Sequence, residues 1–162
     1  MTIGRKPAAD VIVDPALVRA LLQEQHPDLA HLVPVKVAEG WDNALFRLGD
    51  ELAVRLPRRA ASATLIEHEQ RWLPHLSPRL PVPVPVPVRA GVPGPMFGSA
   101  WSVVRWLPGQ NLLHGAFLDP VATGTLLERF LRALHQPAPV DAPSNPWRGV
   151  PLQARTTSLH RQ

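Results

Sequence analysis

The sequence predicts an α+β fold: a five-stranded, mainly antiparallel sheet with one crossover helix, preceded by a helix and followed by another. Two matching start signals, Asp14-Pro15 and Asp119-Pro120, each stand before an apolar run at helical spacing and predict the outer helices. Short strand-like segments divided by glycine, proline and aspartate predict the strands. With 162 residues there is length for about one domain. A hydrophobic fraction of 45% and a charged fraction of 19% belong to a globular chain rather than a disordered one.

The first helix follows Asp14-Pro15, where the aspartate accepts from a free backbone N–H and the proline sits where none is needed. Leu17, Val18, Leu21 and Leu22 form its stripe, and His26-Pro27 ends it before a loop. Three strands are expected near Val33 to Glu39, Ala44 to Leu48 and Leu52 to Leu56. Gly40-Trp41-Asp42-Asn43 joins the first two, and Gly49-Asp50 closes a tight hairpin between the second and third. Ala60 to Leu76 reads as the second helix. The strict proline–valine alternation from Pro81 to Val88 predicts an edge strand or a polyproline-like connector, because proline cannot donate to a ladder. A Gly/Pro turn from Gly91 to Gly98 leads to a buried strand over Ala100 to Leu107. The third helix carries Leu127, Phe130, Leu131 and Leu134 on one stripe and closes at Gln136-Pro137.

Composition excludes several classes of function. The absence of cysteine removes disulfide scaffolds, thiolate catalysis and Cys-ligated metal centres. No segment approaches the length of a membrane span, and the N-terminal residues show no secretory signal, so the cytoplasm is the expected compartment. The net charge of +4 rests on arginine, Lys6 and Lys36 being the only lysines among 17 cations. The densest basic cluster, Arg55, Arg58 and Arg59, is too small for a nucleic-acid interface, and no nucleic-acid partner is expected. The seven histidines are scattered, and His68-Glu69 lacks a second histidine at position 72, where Trp72 stands. No serine has a G-x-S-x-G context.

The second helix places Leu65, Trp72, Leu73 and Leu76 on one apolar stripe, with Glu69 in its middle. A carboxylate there is costly unless a cation meets it. In the strand before it, alternation sets Leu52, Val54 and Leu56 on one face and Ala53 and Arg55 on the other. Arg55 and Glu69 either pair across the sheet, or Arg55 reaches solvent while Glu69 sits at the rim.

A glycine-entered turn, a hairpin, Ala-x-cation on the third strand and Glu on the next helix follow the order of a protein-kinase-like N-terminal lobe. Four segments resemble the aminoglycoside phosphotransferase family: Glu39 to Asn43, Leu52 to Arg59, His68 to Leu73, and Trp101 to Gly109. The resemblance implies a kinase-like lobe with its hinge over residues 1–107, then the beginning of a truncated helical lobe over 108–162. It implies that Gly40, Trp41, Asp42 and Asn43 cover nucleotide phosphates. Arg55 stands in place of the usual strand lysine, a departure because its planar head differs from an ammonium. Glu69 would orient Arg55, Ala53 would meet the base, and Arg105, Trp106 and Leu107 would form the hinge whose backbone meets the base edge. The implied cofactor is ATP or GTP with magnesium. The implied reaction is phosphorylation of a small-molecule hydroxyl, an aminoglycoside or another antibiotic.

Phosphoryl transfer also needs an aspartate for the acceptor hydroxyl and ligands for magnesium. His114-Gly115-Ala116 has alanine where that aspartate is needed, and Met96-Phe97-Gly98 lacks the metal-binding aspartate; both read as ordinary turns. The 162 residues are therefore expected to be inactive alone, as a truncated gene product with an atypical tail from Gln153 to Gln162. The alternatives are a segment that another chain completes and a non-catalytic nucleotide-binding or interaction module. In each case the third helix is the expected exposed apolar surface, open to a missing lobe or to self-association. Arg58 and Arg59 either meet phosphate or, as the preferred reading, form an exposed basic turn; Trp41 either faces substrate or, in preference, packs. His135 is a helix-end cap or a packing residue, and Asn145 to Gly149 form an acceptor-binding edge or, in preference, a structured loop.

Overall fold

The structure is a computed structural model that describes residues 8–109 and 119–143. Helix α1, Pro15–Gln25, begins as its sequence requires: Asp14 Oδ1 accepts from the Leu17 N–H at 2.8 Å. Val18, Leu21 and Leu22 are fully buried on one side. The helix ends where the His26 N–H reaches the Leu22 carbonyl, and Pro27–Leu29 form one 3-10 turn where only a loop was expected.

Five strands follow: β1 Pro34–Glu39, β2 Asn43–Leu48, β3 Leu52–Pro57, β4 Pro87–Gly91 and β5 Trp101–Arg105. Their order is β1-β2-β3-β5-β4, with every pairing antiparallel. The crossover from β3 to β4 contains helix α2, Ala63–Leu76, entered through a 3-10 turn at Ala60–Ser62. In the β2–β3 hairpin Leu48 pairs with Leu52, leaving Gly49, Asp50 and Glu51 as the loop. Gly49 has φ of +56°, a conformation glycine adopts without a Cβ penalty.

Strand β4 starts later than the alternating segment suggested. Pairing begins at Pro87 and runs to Gly91, inside the expected turn, because the ladder needs donors that the proline repeat lacks. Its edge position agrees with the sequence. Between Gly91 and β5 a tight turn exchanges two backbone bonds between Gly94 and Phe97, so Met96-Phe97-Gly98 is an ordinary turn with Phe97 buried.

The main core lies on one face of the sheet. Ala44, Phe46, Leu48, Val54, Leu56, Trp101 and Val103 point to this side and pack with Val18, Leu21 and Leu22 of α1. Ala53, Arg55, Ser102 and Val104 alternate to the opposite face, on which α2 lies. The buried line of α2 differs from the expected stripe: Ile66 is fully buried whereas Leu65 is 39% exposed. The helix turns Ile66, Glu69 and Gln70 inward because the sheet beneath offers polar partners for the last two. Gln70 Nε2 donates to the Trp101 carbonyl at 2.8 Å and to Ser102 Oγ at 3.1 Å.

Helix α3, Pro120–Leu134, is capped by Asp119 Oδ1, which accepts from the Ala122 N–H at 2.9 Å, and ends at His135. None of its residues is buried, and Leu126, Leu127 and Leu131 are exposed. His114 to Ala116, Asn145 to Gly149 and the tail from Gln153 lie outside the described residues.

Candidate functional site

Arg55 projects from β3 onto the α2 side of the sheet, between Leu45 on β2 and Ser102 on β5. The chain leaves β3 at Pro57, turns at residues 58–62 and returns along α2, which carries Glu69 over that arginine. Arg55 Nε donates to Glu69 Oε2 at 2.8 Å, and Nη2 donates to Oε1 at 2.9 Å. Of the two arrangements open to these residues, the structure adopts the pair. Both side chains are partly exposed, at 31% and 25%.

Asn43, the first residue of β2, joins this network. With its amide oriented to satisfy both neighbours, the side-chain carbonyl accepts from Arg55 Nη2 at 3.1 Å and the NH2 donates to the Asp42 carbonyl at 3.2 Å. Arg55 Nη1 has no partner among the described residues. A guanidinium held through Nε and Nη2 thus keeps one amino group for an anion.

The Gly40–Asn43 turn lies beside this cation. The Gly40 N–H donates to the Asn43 carbonyl at 2.8 Å, and Asp42 Oδ1 accepts from Arg59 Nη2 at 2.6 Å and from Ser62 Oγ at 2.8 Å. Arg58 and Arg59 do not form an exposed basic turn. Arg58 is 7% exposed and binds Glu39 and the Gly40 carbonyl, while Arg59 is half-buried against Asp42. The two acids in and beside the turn were the available signal, since two adjacent arginines at a strand end can be buried only where carboxylates meet them. Trp41 is not a packing residue either: it is 52% exposed at the tip of the turn.

Ala53, buried at 1% exposure, lies between Arg47 and Val104 on the same face of the sheet as Arg55. Arg105 ends β5 opposite Leu52, three strand residues from Arg55, or about 10 Å along β3. The Trp106 N–H donates to the Glu51 carbonyl at 2.7 Å, and the Arg47 guanidinium stands 4.7 Å over the Trp106 ring. A hollow of about 510 Å³ beside this segment is lined by Arg47, Glu51, Arg105, Trp106 and Pro108. The expected residues therefore fall into two groups. The Gly40–Asn43 turn meets Arg55 and its partner Glu69 through Asn43. Arg105 to Leu107 lie at the other end of β3, Arg105 opposite Leu52 on the core side and Trp106 beside Arg47 on the side that carries Ala53. No group of three or more His, Asp or Glu residues placed to hold a metal ion occurs among the described residues.

A family model described as "phosphotransferase enzyme family" matches residues 35–160. The fold is similar to that of wild-type aminoglycoside 2'-phosphotransferase-IIIa in its GDP complex, with a TM-score of 0.75 at 19% identity over 92% of this chain and 51% of that one. A mutant of that enzyme, also with GDP, gives a TM-score of 0.67 at 22% identity, covering 75% of this chain and 41% of that one. The GDP and kanamycin complex of APH(2")-IIia gives 0.64 at 23% identity, covering 72% and 40%. The chain thus spans about half the length of the solved proteins it resembles or less. No curated protein sequence matches it.

Proposed function

The chain belongs to the phosphotransferase enzyme family, and from that premise we propose that residues 1–107 form a nucleotide-holding lobe and that residues 108–162 begin the helical lobe beyond it. The ligand is ATP or GTP, and the reaction served is transfer of its terminal phosphate to a hydroxyl of a small molecule such as an aminoglycoside. The observation that carries this reading is the side-on Arg55–Glu69 pair, which fixes a guanidinium beside the Gly40–Asn43 turn while leaving Nη1 unspent.

Each residue then has a physical task. Arg55 neutralises phosphate charge through Nη1, and Glu69 prevents the long side chain from wandering. Gly40 admits a phosphate close to the backbone, and Trp41, Asp42 and Asn43 complete the cover. Ala53 is 1% exposed, so a flat base would reach it only once the side chains that cover it shift aside. The Trp106 N–H is committed to Glu51, so hinge recognition falls to the other backbone groups of Arg105, Trp106 and Leu107. Similarity to proteins solved with GDP supports a purine nucleotide as the ligand.

The 162 residues hold no His-Gly-Asp loop, so the transfer step is not assigned to them. Calorimetric titration of the chain with ATP or GTP in the presence of magnesium tests the proposal. Binding that is lost in Arg55→Ala supports it, whereas a folded chain that takes up neither nucleotide refutes it. The open apolar face of α3 favours a second reading, a module that holds nucleotide and docks a partner without turnover.

A further inference from the structure

Resting on the reading of Gly40 to Asn43 as a phosphate-facing turn, we propose that Arg58 is a positioning residue that shapes this turn for an anion before any ligand arrives. Arg58 follows β3 and lies 7% exposed. Its Nη1 donates to the Gly40 carbonyl at 2.9 Å and, over a longer 3.5 Å, to that of Trp41, while Nη2 pairs with Glu39 Oε1 at 3.0 Å. Its backbone N–H donates to the Asp42 carbonyl at 2.8 Å. One residue thereby engages four consecutive positions, Glu39 to Asp42.

The consequence follows from peptide geometry. In a trans peptide the C=O and the following N–H point in opposite directions. Drawing the Gly40 and Trp41 carbonyls toward Arg58 turns the N–H groups of Trp41 and Asp42 away from it. Two successive amides turned to one side form the kind of concavity that binds anions. Arg58 is thus cationic support beneath the turn, and the anion is received on the other side. Its charge need not touch the ligand.

A second set of contacts ties the turn to α2. Asp42 Oδ1 holds Arg59 and Ser62, and Ser62 is buried immediately before the helix. From the N-terminal side, the Asp10 N–H donates to the Arg58 carbonyl and Asp10 Oδ2 accepts from the Ala60 N–H, both at 2.9 Å. The turn, the 58–62 junction and the helix that carries Glu69 are braced as one unit, so a ligand meets an arrangement already ordered.

The test combines amide hydrogen exchange with calorimetric titration on wild type and Arg58→Lys. The lysine keeps the charge but not the planar fork that spans a carboxylate and two carbonyls. Exchange over residues 40–43 of the free protein should rise about tenfold in the variant, and affinity for ATP or GTP with magnesium should fall about tenfold. Affinity for adenosine and guanosine, which lack phosphate, should not change. Unchanged exchange overturns the proposal, as does an equal loss for nucleoside and nucleotide. Should wild type bind no nucleotide, the proposed function fails, and exchange confined to residues 40–43 decides the role of Arg58 on its own. Ser62→Ala, which frees only the Asp42 side of the brace, should give a smaller change in the same direction, and it serves if Arg58→Lys does not fold.

Discussion

Arg55 meets Glu69 side-on, through Nε and Nη2, so the carboxylate closes one edge of the guanidinium and leaves the opposite amino group without a partner among the described residues. The pair lies between the exposed and buried limits: fully exposed pairs contribute under about 1 kcal/mol, whereas breaking a buried one costs about 3–5 kcal/mol. Glu69→Gln keeps the shape and removes the charge. It should lower stability by about 1–2 kcal/mol and weaken nucleotide binding by more than its effect on folding, since Arg55 loses its orientation. Denaturant unfolding and calorimetry on the same variant separate the two effects. Equal affinity in wild type and Glu69→Gln would show that the pair does not serve the site.

Gly91 faces the fully buried Trp101 so closely that a Cβ on it would stand 2.0 Å from the indole Cε2. Neither partner can retreat: Gly91 pairs with Trp101 in the ladder, and the ring fills the core beside α1. Gly91→Ala should therefore cost about 3 kcal/mol, the upper end for overpacking. The urea midpoint would report it with an unchanged m-value. Adding Trp101→Leu should make the alanine nearly free, a coupling that a double-mutant cycle reads directly.

The pair at the site was legible because two periodicities converge on it. Alternation along Leu52 to Leu56 puts Arg55 opposite the core residues, and a turn of 3.6 residues places Glu69 toward the same sheet. The Asp-Pro caps and the Gly49 hairpin were equally plain, since each depends on adjacent residues alone. The roles of Arg58 and Arg59 were not, because their partners Glu39, Gly40 and Asp42 come from a turn about 17 residues earlier that only the folded hairpin brings near. Ile66 was overlooked for a related reason: a helix rotates to suit the surface it covers, and Gln70 found backbone and hydroxyl partners that its own pattern could not announce.

His26 provides a pH-dependent test of the core. Its Nε2 is buried without a partner among the described residues, and its ring meets Trp101 edge-on with centroids 5.3 Å apart. Burial holds its pKa below the ordinary histidine value; Arg89 lowers it further, while Asp28 and a backbone bond to Ala90 oppose the shift. The unfolded chain therefore takes up the proton first as pH falls. Stability should be flat above about pH 7 and decline through about pH 6.5. His26→Gln, uncharged throughout, should flatten that part of the curve. Urea midpoints compared between about pH 5.5 and 7.5 would show it; identical slopes in both proteins would remove His26 as the cause.

Gln70 and Glu69 are neighbours on α2 that grip different strands: Glu69 holds Arg55 of β3, and Gln70 Nε2 holds the Trp101 carbonyl and Ser102 Oγ of β5. The two grips should act together, because each limits the freedom of the helix that the other needs. Gln70→Ala removes a donor from a part-buried carbonyl and should cost about 1–2 kcal/mol. Unlike a surface change, it should also weaken the Arg55–Glu69 pair. The combined Gln70→Ala and Glu69→Gln protein should consequently lose less stability than the two single losses added, with a coupling of about 0.5–1 kcal/mol. Strict additivity would mean that α2 stays in place without Gln70 and that Glu69 needs no help to reach its arginine.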